Sequence, residues 1–358
     1  RILSEDKLVD ILCQLNQLDA QAYSSEVIRE VAALGGVNHI LQGAYAKAGD
    51  EFRINVTLQE ARSGELLGSE SVAGQGEGSI FSMVDELTQR IKTNLKLSQT
   101  QIASDIDKEI GKITTGSTEA YTYYTEGRKY HNSGDYRQSI ELMEKALAID
   151  PEFAMAYRSM AMGYNNLGLF SERKKFIEKA LELSDRLSEA ERYQIQGDFY
   201  SNSEKTYDRA IEAFHNLLAL YPDNTMASHN LGNLYGDLED WDQSIKNYDI
   251  SVRNKSEFIP TYTLLAEKYR AKELYAEARK VLEDYIRNFS DNAQVRQALA
   301  DIHIDREELD QAMAEIDKAF ILDPNDYVNL MSKGDIYLYK EDLARAEEEY
   351  QKLLQMKE

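Results

Sequence analysis

Cysteine, tryptophan and proline are nearly absent from this chain: one, one and four residues among 358. The single Cys13 excludes an intramolecular disulfide and a cysteine-rich zinc site, and it leaves the compartment open. No apolar run reaches the roughly 20 residues that a membrane helix needs, and no signal-peptide pattern stands at Arg1. Positive charge is also scarce, with 41 Lys and Arg against 63 Asp and Glu and a net charge of −22. That balance argues against nucleic acid, which needs a basic footprint, and against an anionic membrane surface.

Catalytic constellations are missing too. The histidines His39, His131, His215, His229 and His303 are scattered, with no pair at the spacing of a zinc-protease helix. Gly74 to Gly78 superficially resembles a phosphate loop, but it lacks the Gly-Lys-Ser/Thr ending and Glu77 would repel phosphate. It reads as a strand-to-helix connection. There is no His-Arg-Asp catalytic loop and no Asp-Phe-Gly. The sequence therefore assigns no catalytic residue, no metal and no cofactor.

What it does have is a repeat. Units begin near Ala120, Ala154, Ala190, Thr225, Ile259, Ala293 and Tyr327, with a period near 34. In the first helix of each unit a small residue stands three before an aromatic or its stand-in: Gly127/Tyr130, Ala161/Tyr164, Gly197/Tyr200, Gly232/Tyr235, Ala266/Tyr269, Ala300/His303 and Gly334/Tyr337. That spacing predicts one helical face on which the small residue admits a partner helix and the ring fills the space beside it. In the second helix Ser139, Ala210, Ser244, Ala278, Ala312 and Ala346 are each followed four later by Met143, Phe214, Tyr248, Leu282, Ile316 and Tyr350. Pro151, Pro222 and Pro324 mark helix ends. Repeat two, with Arg173 at a small-residue position and a long tail from Leu181 to Leu187, and repeat three, with an extra residue between Ser201 and Tyr207, are the least regular.

Ahead of the repeats the period changes. Leu8, Ile11, Leu12 and Leu15 fall at helical spacing, and Ser25 is expected to cap a second short helix that ends at Gly35-Gly36. Phe52, Ile54, Val56 and Leu58 alternate with Arg53, Asn55, Thr57 and Gln59, which predicts a half-buried strand. Val37 to Ala48 and Glu65 to Val72 are expected beside it, joined by turns at Gly49-Asp50 and Ser63-Gly64, with a closing helix from Ser79 to Leu95.

The repeats resemble the tetratricopeptide repeat family over about two-thirds of the chain. That resemblance implies an antiparallel helix pair per unit, stacked into a superhelix whose concave groove is lined by first helices. Leu34, Gly35, Ile40, Leu41, Gly43, Gly49, Asp50, Arg53, Ile54, Leu58, Ala61, Gly64 and Glu65 resemble the N-terminal domain of the TolB type found in bacterial signalling proteins. Such proteins carry a serine/threonine kinase, a cyclase or a winged-helix regulator, then a membrane helix, then this domain and the repeats. The family usually opens with a buried strand, so the resemblance implies a fragment whose first strand and effector domain lie upstream. The expected organisation is an α+β domain with a three-stranded or larger sheet over 1–98, a linker over 99–117, and an all-α tetratricopeptide solenoid over 118–358. The compartment it implies is extracytoplasmic.

Many of the 23 tyrosines fall on packing positions. Off that register, Tyr121, Tyr124, Arg128, His131, Asn132, Arg158, Asn165, Asn166, His229, Asn230 and Asn233 are expected on the first-helix face. There asparagine can hold an extended peptide by its backbone and arginine can take a carboxylate. The alternative is a merely solvated face. The paired lysines and asparagines of chaperone-binding members are missing. The matching face of repeats five to seven shows Glu267, Asp301, Asp305 and Asp335, so an acidic peptide is expected to prefer the N-terminal repeats. The partner class expected is protein or peptide, in a noncatalytic segment of a membrane-linked signalling protein. The alternative is a free periplasmic or outer-membrane-associated scaffold.

Overall fold

The computed structural model describes residues 5–15, 17, 20, 23–94 and 115–355. The expected linker at 99–114 lies outside them. Contacts divide the chain into two compact units, one with residues 20–222 and the other with Glu5–Asp19 and Asp223–Glu358.

In the first unit, α2 (Ser25–Gly35) leads into the strands β1 (His39–Ala48), β2 (Glu51–Glu60) and β3 (Leu66–Gln75), followed by α3 (Ser79–Asn94). The cap of α2 is Ser24 rather than Ser25: its Oγ accepts from the Val27 N–H at 3.3 Å, and the helix ends at Gly36 with φ of 62°. The sheet is antiparallel in the order β1-β2-β3. Alternation on β2 comes out as the pattern demands. Phe52, Val56 and Leu58 are buried, Ile54 is partly buried, and Arg53 and Asn55 face solvent. Met83 and Leu87 of α3 close this core, with Ile80 and Ile91 at its margin. On β1, Leu41 and Tyr45 lie on the face of Leu58 and Ile54, yet Tyr45 is 77% exposed. Gly74 to Gly78 is a strand-to-helix connection. Gly76 donates to the Asp50 carbonyl at 2.8 Å, and Glu77 is held by Lys47 at 3.2 Å and by the Thr118 hydroxyl at 3.1 Å.

Among the described residues, fourteen helices follow in seven antiparallel pairs. The first unit holds α4 (Thr118–Asn132) with α5 (Tyr136–Ile149), α6 (Ala154–Asn166) with α7 (Phe170–Glu182), and α8 (Glu189–Tyr200) with α9 (Tyr207–Leu220). The second unit holds α10 (Thr225–Asp237) with α11 (Trp241–Arg253), α12 (Ile259–Ala271) with α13 (Tyr275–Asn288), α14 (Ala293–Asp305) with α15 (Leu309–Leu322), and α16 (Tyr327–Tyr339) with α17 (Leu343–Gln355). It also holds α1 (Glu5–Gln14), where Leu8 is exposed rather than packed. The irregular units absorb their extra length in 3-10 turns at Ser184–Arg186 and Glu204–Thr206.

Close approach within a pair works differently from the sequence expectation. The small residue of the first helix is covered by the bulky residue of the second helix, and the aromatic three positions on stays half-exposed, as at Tyr130 and Tyr337. A Cβ built on Gly127 would meet the Met143 methyl at 2.7 Å, on Gly197 the Phe214 ring at 2.4 Å, and on Gly334 the Tyr350 ring at 2.5 Å. Gly197, Gly232 and Gly334 are covered by rings, whereas alanine meets a smaller aliphatic residue. Ala266 shares a core with Leu282, and Ala300 with Ile316. Volume is conserved across the helix pair, as close packing requires.

The turn inside every pair except that of repeat three contains a left-handed residue. Gly134 and Gly168 supply it in repeats one and two, but Glu239, Glu273, Glu307 and Glu341 occupy the same 34-residue rhythm at φ of 59 to 61°. Side chains other than glycine pay strain there.

Candidate protein-interaction face

On α4, Tyr121 is exposed, whereas Tyr124 is 6% exposed and packs on Phe153 with ring centroids 4.9 Å apart. Tyr124 is therefore a core residue and not a groove residue. Arg128 lies half-buried with its guanidinium 5.9 Å from the centre of that ring. Asn132 and Asn166 are exposed and Asn165 is half-buried.

His131 sits between them. Asn166 Nδ2 donates to its Nε2 at 3.4 Å, Tyr136 meets it edge-on at 5.2 Å, and Nδ1 is buried with no hydrogen-bond partner. Burial pushes its pKa down to about 4, and the positive charges of Arg158 and Arg128 push the same way.

Arg158 has its carboxylate inside the protein. Its Nε donates to Asp198 at 2.7 Å, in a pair whose side chains are 17% and 5% exposed. Arg173, the residue that stands where a small one was expected, reaches the same place: it donates to Asn202 and, at 3.4 Å, to the Asp198 carbonyl. Asp198, Arg173 and Asn202 were not among the expected site residues. The oversized side chain at 173 was the one sequence signal for them.

In the second unit the expected residues divide. His229 is 5% exposed, its Nδ1 lies 3.0 Å from the Thr261 hydroxyl, and Asn233 Nδ2 donates to its Nε2 at 3.1 Å. The Tyr248 hydroxyl donates to Asn233 Oδ1 at 2.6 Å and completes a chain of four polar groups. Burial alone pushes the His229 pKa down to about 4. His229 is thus an internal strut joining repeats four and five, not a groove residue, while Asn230 is half-buried. The acidic residues are partly neutralised in place. Arg270 donates to Asp305 at 2.7 Å and to Asp301 at 3.0 Å, and Lys268 pairs with Glu267 at 2.7 Å. His303 is more than packing: its Nδ1 lies 2.7 Å from a Glu308 carboxylate oxygen.

Among the described residues no group of three or more His, Cys, Asp or Glu side chains could hold a metal ion, and no helix is long and apolar enough to cross a membrane.

Residues 120–153, 269–334 and 329–358 each match the tetratricopeptide repeat. The helical pairs there are tetratricopeptide repeats. Among curated proteins, "Putative adenylate cyclase 3" of Rhizobium meliloti (strain 1021) is 27% identical over 138 residues, 38% of this chain. The chain spans 23% of that protein's length. Among solved structures, a tetratricopeptide repeat protein from Parabacteroides merdae ATCC 43184 aligns with a TM-score of 0.47 and 17% identity, covering 67% of this chain and 94% of that one. PilW, a widely conserved type IV pilus biogenesis factor, aligns with a TM-score of 0.46 and 18% identity over 58% of this chain and 95% of its own.

Proposed function

We propose that the chain is a noncatalytic protein-interaction segment that holds an acidic peptide on the first helices of repeats one and two. The observation that carries this reading is the pair of guanidiniums, Arg128 and Arg158, whose positive charge bears on His131. Arg158 and Arg173 meet at Asp198, and the exposed amides of Asn132 and Asn166 belong to the same first helices. Desolvated arginine attracts carboxylate, and side-chain amides can hold a peptide backbone. In repeats five to seven Arg270 and Lys268 are held by Asp301, Asp305 and Glu267, so that face is less attractive to the same ligand.

The wider setting we infer is a bacterial signalling protein linked to the membrane, with this segment extracytoplasmic. The TolB-like residues between Leu34 and Glu65 and the partial likeness to the Rhizobium protein support it. Whatever the parent protein catalyses would then reside outside these residues.

The test is fluorescence anisotropy with a set of labelled acidic peptides, each with a free or an amidated C-terminus. Binding to the parent chain should weaken with salt, and Arg128→Ala should weaken it further and flatten that dependence. Binding that ignores both Arg128 and salt would remove the reading.

A further inference from the structure

The N-terminal helix α1 belongs to the compact unit of repeats four to seven, and it packs against α10, the first helix of repeat four. The contact is built rather than incidental. Lys7 is only 4% exposed, and its ammonium donates to the carbonyl of Asn254, the residue that closes α11. A buried ammonium is tolerable only with such an acceptor, and a helix C-terminus is where the macrodipole favours a cation. One turn on, Ile11 is 1% exposed and Leu12 is also buried. Positions i, i+4 and i+5 of this short helix thus bury one polar and two apolar side chains.

We propose that repeat four carries a helix-binding surface whose resident occupant is α1. The incoming ligand is an amphipathic helix of the same pattern, a lysine followed at i+4 and i+5 by large aliphatic residues, and it must displace α1 to bind. A site occupied in cis takes ligand in trans only in the fraction of molecules where the occupant has left, so its apparent affinity falls by that fraction. This extends the interaction reading above to a second place on the solenoid. Its test uses the chain's own sequence as probe, so a negative result here leaves the reading of repeats one and two standing.

A fluorescent peptide of residues 1–15 is titrated against the parent chain and against the full chain carrying Lys7→Glu with Ile11→Asp, which evicts the resident helix. The double variant should bind the peptide saturably and at least about tenfold more tightly than the parent. On peptide addition, amide exchange in α10 and at Asn254 to Ser256 should slow in the variant. Equal binding to both chains, or no binding to the variant, overturns the proposal. If exchange shows that the double variant has unfolded through α17, Lys7→Gln, which keeps both apolar contacts, takes its place. A smaller gap in the same direction is then expected, and no gap overturns the proposal.

Discussion

Gly232 lies directly beneath the ring of Tyr248: a Cβ built on the glycine would sit 2.5 Å from ring atoms Cδ1 and Cε1. The ring cannot swing away, because it is buried and its hydroxyl is tied to Asn233. Gly232→Ala should therefore destabilise the chain by about 1–3 kcal/mol, even though alanine is the better helix former. The paired change Gly232→Ala with Tyr248→Leu copies Ala266 and Leu282, so the alanine should cost much less in the leucine background. Urea unfolding of the four variants gives the coupling directly. Purely additive effects would break the proposed link between the two residues.

The intra-repeat turns predict a gain. Glu273 is exposed at φ of 59°, a conformation that costs a side chain about 1–2 kcal/mol, partly offset by the greater entropy glycine loses on folding. Glu273→Gly should raise stability by about 0.5–1 kcal/mol, and the same change at Glu307 should do likewise. A lowered melting temperature for both would show that the glutamate side chains make contacts worth more than the strain.

Acid should act through the two buried imidazoles. His131 and His229 have folded-state pKa values near 4, below the ordinary 6.5 of an unfolded histidine. Above 6.5 both states are neutral and nothing is lost. Between 6.5 and 4 the unfolded chain takes up protons that the folded chain refuses, so stability falls with pH by up to about 1.4 kcal/mol per unit for each histidine. His229→Gln should flatten the fall between pH 6.5 and 5 in urea midpoints, whatever it does to stability at pH 7.5. An unchanged slope would mean that His229 titrates freely.

Arg158 and Arg128 should separate structure from binding. Removing Arg158 leaves Asp198 buried beside an empty place, so Arg158→Ala should cost about 3 kcal/mol, and Asp198→Asn should restore part of it. Arg128 lies half-buried over the ring of Tyr124, and Arg128→Ala should cost about 1 kcal/mol, less than Arg158→Ala, while weakening acidic peptides. If the two losses are alike in thermal denaturation, the division between them fails.

Period and helix boundaries were legible because they rest on local chemistry. Six of the seven first helices begin within one residue of the position read from the repeat, and the α4 helix begins two residues early, at Thr118. The alternation of β2 and the two hairpin turns were equally plain. What stayed hidden was the angle of each side chain around its helix. One position is about 100° of rotation, and that is enough to turn Tyr124 and His229 from groove to core. Partners far apart in sequence were hidden as well. Nothing local announces that Arg158 meets Asp198 forty residues on, or that Lys7 meets Asn254. The glycine beneath Tyr248 was half legible: the small residue was expected to admit a helix, but the ring that fills the space comes from the second helix.

The central claim is that the first helices of repeats one and two form a noncatalytic binding face. Photocrosslinking amino acids placed singly at Asn132 and Asn166, and at the exposed second-helix positions Arg137 and Glu141, test it on the full chain. With the tightest acidic peptide as ligand, crosslinks should form at 132 and 166 and be competed by unlabelled peptide, while 137 and 141 stay silent. Crosslinking mainly at 137 and 141 would contradict the account, and so would equal labelling at all four positions.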